Sequence, residues 1–218
     1  MAGPYALMWS GGKDSALALE RARSLGLEVK LLCTFFEVAT QRVRFHATPV
    51  GMIEAQASAI HGVKLIALGT SWEAMESRLN DQLRNLRSEG FTGVVSGDIH
   101  LADVRAWYER RVVAAGLDHV EPLWDQPPGD LLKEFVDAGG RAVITCVDVT
   151  RLNASWLGRI IDESFIEEIG TTGIDPCGEN GEYHSFAFEG AVFDHPVQWH
   201  SGETRSDGRF MQLDVVPA

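Results

Sequence analysis

Short, uniformly apolar runs alternate with longer segments of helical periodicity over the first two thirds of the chain. The apolar runs predict strands over residues 5–10, 29–36, 64–70, 93–99 and 119–124. The segments between them predict helices over residues 13–26, 50–62, 72–90 and 101–116. Because strands that are apolar on both faces need helices on both sides, this alternation predicts an α/β domain with a parallel sheet.

The pattern changes near residue 125, where "DQPPGD" (residues 125–130) predicts a joint. A helix is predicted over residues 131–138 and an apolar strand over 141–147, followed by an irregular region. Residues 183–193 and 197–216 alternate like strands, with turns at "EG" and "SDG". We therefore expect two domains, a parallel-sheet domain over residues 1–125 and a smaller α+β lobe over 126–218.

The stretch "SGGKDS" follows the first predicted strand and opens the first predicted helix. Ligands of parallel sheets bind at the carboxyl ends of the strands, so this turn lies where a ligand is expected. The Walker phosphate loop does not fit, because Leu7 stands where its leading glycine would be. The G-x-G-x-x-G fingerprint does not fit either, because Gly11 and Gly12 are adjacent. Glycines, a helix N-terminus and Lys13 still favour an anion site. The alternative is an ordinary turn in which Asp14 caps the helix.

Composition narrows the functional classes. The 218-residue chain has 45% hydrophobic residues, enough for one sizeable core, and a net charge of −12 that disfavours nucleic acid as a partner. Three cysteines without a C-x-x-C pair suggest neither a disulfide framework nor a zinc site. The start of the chain does not resemble a secretion signal, and no apolar run approaches membrane-spanning length. We expect a soluble, cytoplasmic protein.

A second unusual stretch, "GIDPCGENGEYHSF" (residues 173–186), concentrates groups that can do chemistry. Its candidates are Asp175, Cys177, Glu179, Glu182 and His184. Carboxylates spaced by glycines suit a loop that binds magnesium, holds ammonium or acts as a general base. The alternative is a solvated acidic loop with a structural histidine. Cys177 as a nucleophile lacks an obvious positive neighbour in the sequence.

Both stretches resemble known families. "SGGKDS" is similar to the S-G-G-x-D-S loop of the PP-loop ATP pyrophosphatases, and "CGENGEYHS" resembles the C-G-E-x-G-E-[YF]-H-[ST] element of the diphthine–ammonia ligase family. Segments 96–99, 121–124 and 130–148 resemble the same family. The resemblance, closest to the family's bacterial-type branch, implies a Rossmann-like, HUP-type nucleotide-binding domain. It also implies that ATP is cleaved to AMP and pyrophosphate while a carboxylate is adenylated and then amidated by ammonia.

The resemblance also implies roles for individual residues. The nucleotide phosphates are expected at the loop formed by Ser10, Gly11, Gly12, Lys13, Asp14 and Ser15. The adenine is expected near Phe35, Phe36 and Gly69, and Mg²⁺ near Asp14 or Asp98. The expected catalytic residues are Lys13, Glu179 and Glu182, with His184 as a further candidate. Asp98 has an alternative role as the cap of the helix that follows it.

Several questions stay open from the sequence. Arg42, Arg44 and His46 either clamp a phosphate or substrate acid or form a solvated lid, and Trp72 is a candidate for a pocket rim. The amine donor is ammonia or another amine, the acceptor carboxylate is carried by a protein or a metabolite, and a homodimer is left open. Two other functions compete: a PP-loop RNA-modifying ligase, which would want a basic face and paired cysteines, and an adenine-nucleotide sensor without catalysis.

Overall fold

The computed structural model describes residues 3–218, which form two β-sheets flanked by helices. The first part contains the strands β1 (Tyr5–Met8), β2 (Val29–Glu37), β3 (Arg42–Val43), β4 (Lys64–Thr70), β5 (Gly93–Val95) and β6 (Asp118–Val120). Its helices are α1 (Lys13–Ser24), α2 (Val50–Ser58), α3 (Met75–Ser88) and α4 (Ala102–Ala114). The second part contains α5 (Pro128–Asp137), β7 (Arg141–Asp148), β8 (Ile160–Ile161), α6 (Glu163–Ile169), β9 (Tyr183–Glu189), β10 (Trp199–Ser206) and β11 (Phe210–Pro217).

The first sheet is parallel except for β3. Its parallel strands run in the order β4-β2-β1-β5-β6, and β3 pairs antiparallel with the end of β2, beyond the residues that pair with β1. The chain thus builds β2 and β4 on one side of β1, and β5 and β6 on the other. The carboxyl end of β1 therefore lies at the switch point where parallel sheets bind ligands. The predicted parallel-sheet α/β domain is confirmed.

The second sheet is antiparallel and forms the predicted smaller lobe. The strand β7 lies at its centre and pairs with β8, β9 and β11, while β10 pairs with β11. Asp148, at the end of β7, is fully buried and accepts hydrogen bonds from Arg209 (2.7 and 2.9 Å) and from the Thr150 hydroxyl (2.6 Å). This ion pair ties the hairpin of β10 and β11 to the centre of the sheet.

The main hydrophobic core runs through both parts of the chain. Leu7 and Leu17 of the first part belong to the same buried cluster as Ile144, Phe165 and Tyr183 of the second. The amide of Ala187 also donates to the carbonyl of Gly11 at 2.8 Å, which fastens β9 to the turn after β1. Because one core is shared, the division after residue 125 stays a prediction.

Element boundaries differ from the sequence expectation at several places. β5 ends at Val95 and β6 at Val120, so residues 96–99 and 121–124 are loop rather than strand. The irregular region contains α6, a seven-residue helix that begins after Asp162, whose side chain accepts from Phe165 N at 2.9 Å. The segment after β2, for which no strand was predicted, includes β3. Within residues 3–218, the helices are all too short or too polar to cross a membrane.

Candidate functional site

A cavity of about 310 Å³ opens at the carboxyl ends of β1, β2, β4 and β5. The turn after β1 forms its floor, and residues 177–179 and 183–185 close it from the second lobe. Nine of the residues predicted for the site line it: Ser10, Lys13, Asp14, Ser15, Phe35, Phe36, Asp98, Glu179 and His184. The two sequence motifs, which are separated by more than 150 residues of chain, thus meet in one cavity.

The turn at residues 10–15 is a tight, glycine-dependent entry into α1. Gly11 has φ +81°, a left-handed conformation that side chains rarely adopt, and a Cβ there would lie 2.5 Å from Ile53 Cδ1. Gly12, which has no side chain to cap the helix, precedes the first residue of α1. Lys13 N donates to Ser185 Oγ at 3.3 Å. The free N-terminal amides and the positive end of the helix dipole suit an anion.

Gln56, from α2, anchors this turn from below. The side chain is fully buried, and its Nε2 donates to Gly11 O at 2.8 Å and to Ala187 O at 2.6 Å. Its Oε1 accepts from Trp9 Nε1 at 2.9 Å. One amide therefore holds the end of β1, the glycine turn and β9 together. Gln56 is not predictable from the sequence, because a polar residue inside a helix carries no signal of its own.

Lys13 is the buried cation of the site. Its side chain is only 4% exposed, and Nζ lies 2.9 Å from Asp14 Oδ2, 2.5 Å from Cys177 O and 5.0 Å from the centre of the Tyr183 ring. Burial opposes the charge of Lys13, but the attraction of Asp14 and further neighbours outweighs it and raises the pKa well above its ordinary value. The lysine therefore stays charged at neutral pH. Asp14 pairs with Lys13 and does not cap α1.

Glu179 and Asp98 face the same cavity as Asp14. Glu179 Oε1 accepts from Ile99 N at 2.9 Å, and burial together with the charge of Asp14 raises the pKa of Glu179 to about 7. Burial also raises the pKa of Asp98, and Asp14 adds to this effect. A carboxyl group with a pKa near 7 can take up and release a proton at neutral pH. The expected alternative for Asp98 is wrong, since Leu101 precedes α4 and, among residues 3–218, no side chain caps that helix.

Two histidines stand beside the glycine turn. The rings of His46 and His184 are 4.8 Å apart between their centres, and both line the cavity. His46 Nδ1 lies 3.1 Å from Ser185 O, and a Cβ on Gly12 would come within 2.8 Å of His46 Cε1. Burial lowers the pKa of both imidazoles, and for His184 the neighbouring His46 lowers it further. Both histidines are therefore neutral near pH 7.

Glu182, by contrast, lies outside the residues that line the cavity. The side chain is 1% exposed, and its Oε1 is 3.0 Å from Nη2 of the partly exposed Arg151, in an ion pair at the start of β9. Cys177 does have a positive neighbour, Lys13, which the sequence analysis did not foresee. Burial nevertheless raises the pKa of the Cys177 thiol, which donates to Pro128 O at 3.1 Å, so a thiolate is disfavoured.

The outer wall comes from the segment after β2. Arg42 is bonded to both carboxylate oxygens of Asp214, at 2.6 and 2.8 Å, and does not face the main cavity. Arg44 pairs with Glu37 and lies 4.5 Å over the ring of Trp72, at the rim of a second cavity next to the first. Gly69 is paired in register with Phe36 and does not itself line the cavity.

The carboxylates of the cavity suit a metal ion only in part. Within residues 3–218, no group of three or more His, Cys, Asp and Glu side chains is arranged to hold a metal. Mg²⁺ at nucleotide sites is commonly held by one or two carboxylates together with phosphate oxygens and water. Asp14 and Asp98, which both line the cavity, fit this smaller requirement, and the charge of Asp14 contributes to the raised pKa of Asp98.

Comparison with known families agrees with this geometry. Residues 3–119 match the diphthamide synthase N-terminal domain, and residues 127–213 match the diphthamide synthase C-terminal domain. The chain belongs to the diphthamide synthase family. Membership in the diphthamide synthase family makes the protein a PP-loop, ATP-utilising enzyme and confirms the resemblance seen in the sequence. No curated protein matches the chain significantly.

Proposed function

We propose that the protein is an AMP-forming ligase that adenylates a carboxylate and transfers ammonia or an amine to it. The observation that carries this proposal is the meeting of the glycine turn with Glu179 in one cavity. A protein that only binds a nucleotide would need the turn at residues 10–15 but not Glu179. A carboxyl group with a pKa of about 7, held in place by Ile99 N, is what an amine-transfer step needs in addition.

The topology supports one orientation of the nucleotide. The β and γ phosphates fit the turn after β1, where Lys13 and the N-terminal amides of α1 face the cavity. The adenine fits the ends of β2 and β4, where Phe35 and Phe36 provide apolar walls. In this orientation the α phosphorus lies between the turn and Glu179. The carboxylate acceptor then enters from the side of β5.

The first chemical step is the attack of a carboxylate oxygen on the α phosphorus. The bond between the α phosphorus and the bridging oxygen breaks, and pyrophosphate leaves with that oxygen. Lys13 neutralises charge that builds up on the leaving group, which is the largest contribution a preorganised site makes to such a reaction. Magnesium supplies further neutralisation of the phosphates when it is bound, and Asp14 and Asp98 are the carboxylates that would hold it.

In the second step, ammonia displaces AMP from the acyl-adenylate. Ammonia attacks the carbonyl carbon of the acyl-adenylate, the bond to the phosphate oxygen breaks, and an amide and AMP are formed. Ammonium must lose a proton before it attacks, and the attacking nitrogen loses another as the amide forms. Glu179 is placed to accept a proton in this step, because its carboxylate form is well populated at neutral pH.

A product assay tests the proposal. The protein is incubated with ATP, magnesium, ammonium and a panel of carboxylic acids, while AMP and pyrophosphate are followed by chromatography. We expect AMP formation that depends on one class of acid, falls at least about 100-fold in Glu179→Gln and is unchanged in the exposed control Glu167→Gln. Nucleotide binding without acid-dependent AMP would support a sensor instead, and AMP formation that requires RNA would support an RNA-modifying ligase.

A further inference from the structure

The imidazoles of His46 and His184 are two titratable groups of the cavity that the proposed reaction leaves without a role. His46 reaches the glycine turn from the segment after β3, and His184 reaches it from β9. The two rings are tilted by 45° with their centres 4.8 Å apart. Phe45 also stacks on His184, with ring centres 6.1 Å apart. The pair is therefore built into the wall that faces the phosphate-binding turn.

The hydrogen bond of His46 fixes which nitrogen titrates. The carbonyl of Ser185 can only accept, so His46 Nδ1 carries a hydrogen and donates at 3.1 Å. The remaining lone pair is on Nε2, and this atom gains a hydrogen on protonation. The carbonyl of His46 itself accepts from the Thr145 hydroxyl at 2.8 Å, which holds the backbone of the segment against β7.

We propose that His46 and His184 form an anion-binding pair that takes up one proton when the β and γ phosphates enter the turn at residues 10–15. The inference rests on the proposed placement of the nucleotide, although not on the ligase chemistry. It assigns the pair a role in binding and retaining the pyrophosphate part of the nucleotide. A base that is neutral in the empty site becomes a cation only when an anion arrives.

The charges around the pair favour this exchange. On α1, Lys13 disfavours the charged form of both imidazoles, and Asp14 favours the charged form of His46. Each ring also faces the other, while β7 contributes only the neutral Thr145 and the thiol of Cys146. In the free protein, burial and the positive charge of Lys13 thus keep the pair neutral. Phosphate groups add several negative charges within the same cavity and reverse the sign of the local field.

Proton uptake has a thermodynamic consequence that can be measured. If the complex binds one more proton than the free components, the affinity rises as the pH falls, by up to about tenfold per pH unit. Phosphate groups would also raise the pKa of Glu179, which is already about 7, so Glu179 contributes the part of the uptake that remains when the histidines are replaced.

Calorimetry with an uncleavable nucleotide tests this inference. The probe is α,β-methylene-ATP, titrated without divalent cations in buffers of different ionisation enthalpy, so that the number of protons taken up is obtained directly. AMP, which lacks the β and γ phosphates, is the matched ligand control. His61→Gln is the matched protein control, because this histidine is 88% exposed and pairs only loosely with Asp194.

We expect the analogue to cause equal proton uptake in the wild type and in His61→Gln, and AMP to cause less. The double variant with His46→Gln and His184→Gln takes up about one proton fewer than the wild type, and its affinity rises less at lower pH. Equal uptake in the double variant, or no uptake in the wild type, would overturn the inference. So would failure of the analogue to bind at all.

A second measurement protects the test against a variant that does not fold. The ¹⁵N shifts of the assigned imidazoles in the wild-type protein report protonation directly, and we expect one of the pair to move to the imidazolium position when the analogue is added. Unchanged shifts in a saturated complex contradict the inference. Proton uptake without acid-dependent AMP formation would refute the ligase proposal but support the proposed role of the histidine pair. Acid-dependent AMP formation without proton uptake would support the ligase proposal and refute the role of the pair.

Discussion

Replacing Gln56 by leucine removes the amide that joins the end of β1, the glycine turn and β9. Leucine has a similar volume, so the change mainly deletes hydrogen bonds rather than opening a cavity. Trp9 Nε1 loses its acceptor at 2.9 Å, and Ala187 O loses its donor at 2.6 Å. Gly11 O also loses Gln56 but keeps the amide of Ala187 at 2.8 Å.

The expected cost follows from the two groups that lose a partner in a buried place. A buried donor or acceptor without a partner costs about 1–3 kcal/mol, so Gln56→Leu is expected to lower the free energy of unfolding by about 2–6 kcal/mol. The turn at residues 10–15 also loses one of its supports. Since misplacing a catalytic group by about 1 Å can cost about 100-fold in rate, we expect acid-dependent AMP formation to fall by up to that factor.

Urea unfolding measures the first effect and the AMP assay the second. Gln198→Leu is the matched control, because Gln198 is exposed, and its unfolding free energy is expected to change by less than about 0.5 kcal/mol. If Gln56→Leu unfolds with the same free energy as Gln198→Leu, the amide does not support the turn. The argument that β9 and the glycine turn form one unit would then be refuted.

Three further predictions concern single side chains. Gly12→Ala places a Cβ 2.8 Å from His46 Cε1, so we expect calorimetry to show weaker binding of α,β-methylene-ATP, whereas Gly51→Ala, in open space, binds normally. The rate of AMP formation is expected to rise with pH through about 7, and Glu179→Gln to abolish this dependence. Burial opposes the charge of Asp148, but hydrogen bonds lower its pKa to about 2. The contribution of the Asp148 carboxylate to the free energy of unfolding is thus lost between about pH 4 and pH 2. In acid titrations, Asp148→Asn is expected not to show this loss.

The sequence was sufficient for the parts of the fold that follow from periodicity. The strand at residues 64–70 and the start of α1 at Lys13 are as predicted, because uniformly apolar runs and a glycine-rich helix start leave few alternatives. The two-residue strand β3 and the seven-residue helix α6 are too short to give a periodic signal. Both are held by contacts with distant segments: Arg42 of β3 pairs with Asp214, and Phe165 of α6 packs against Tyr183.

The position of a site residue could be predicted where a local motif fixes it. It could not be predicted where tertiary packing decides which way the side chain points. The turn at residues 10–15 lies at the predicted place because it directly follows β1 at the switch point of the sheet. The acidic stretch reached the same cavity, but Glu182 is turned toward Arg151 while Glu179 faces the nucleotide site. Spacing along a loop cannot distinguish these two directions. Gln56 and His46 join the site only through tertiary contacts.

The claim on which the proposed function depends is that a carboxylate attacks the α phosphorus of ATP while residues 10–15 hold the pyrophosphate. Turnover with carboxylic acids labelled with ¹⁸O, followed by mass spectrometry of the nucleotide product, tests this claim directly. The account predicts AMP that carries one ¹⁸O atom from the acid. Unlabelled AMP, or ADP with inorganic phosphate, would contradict it.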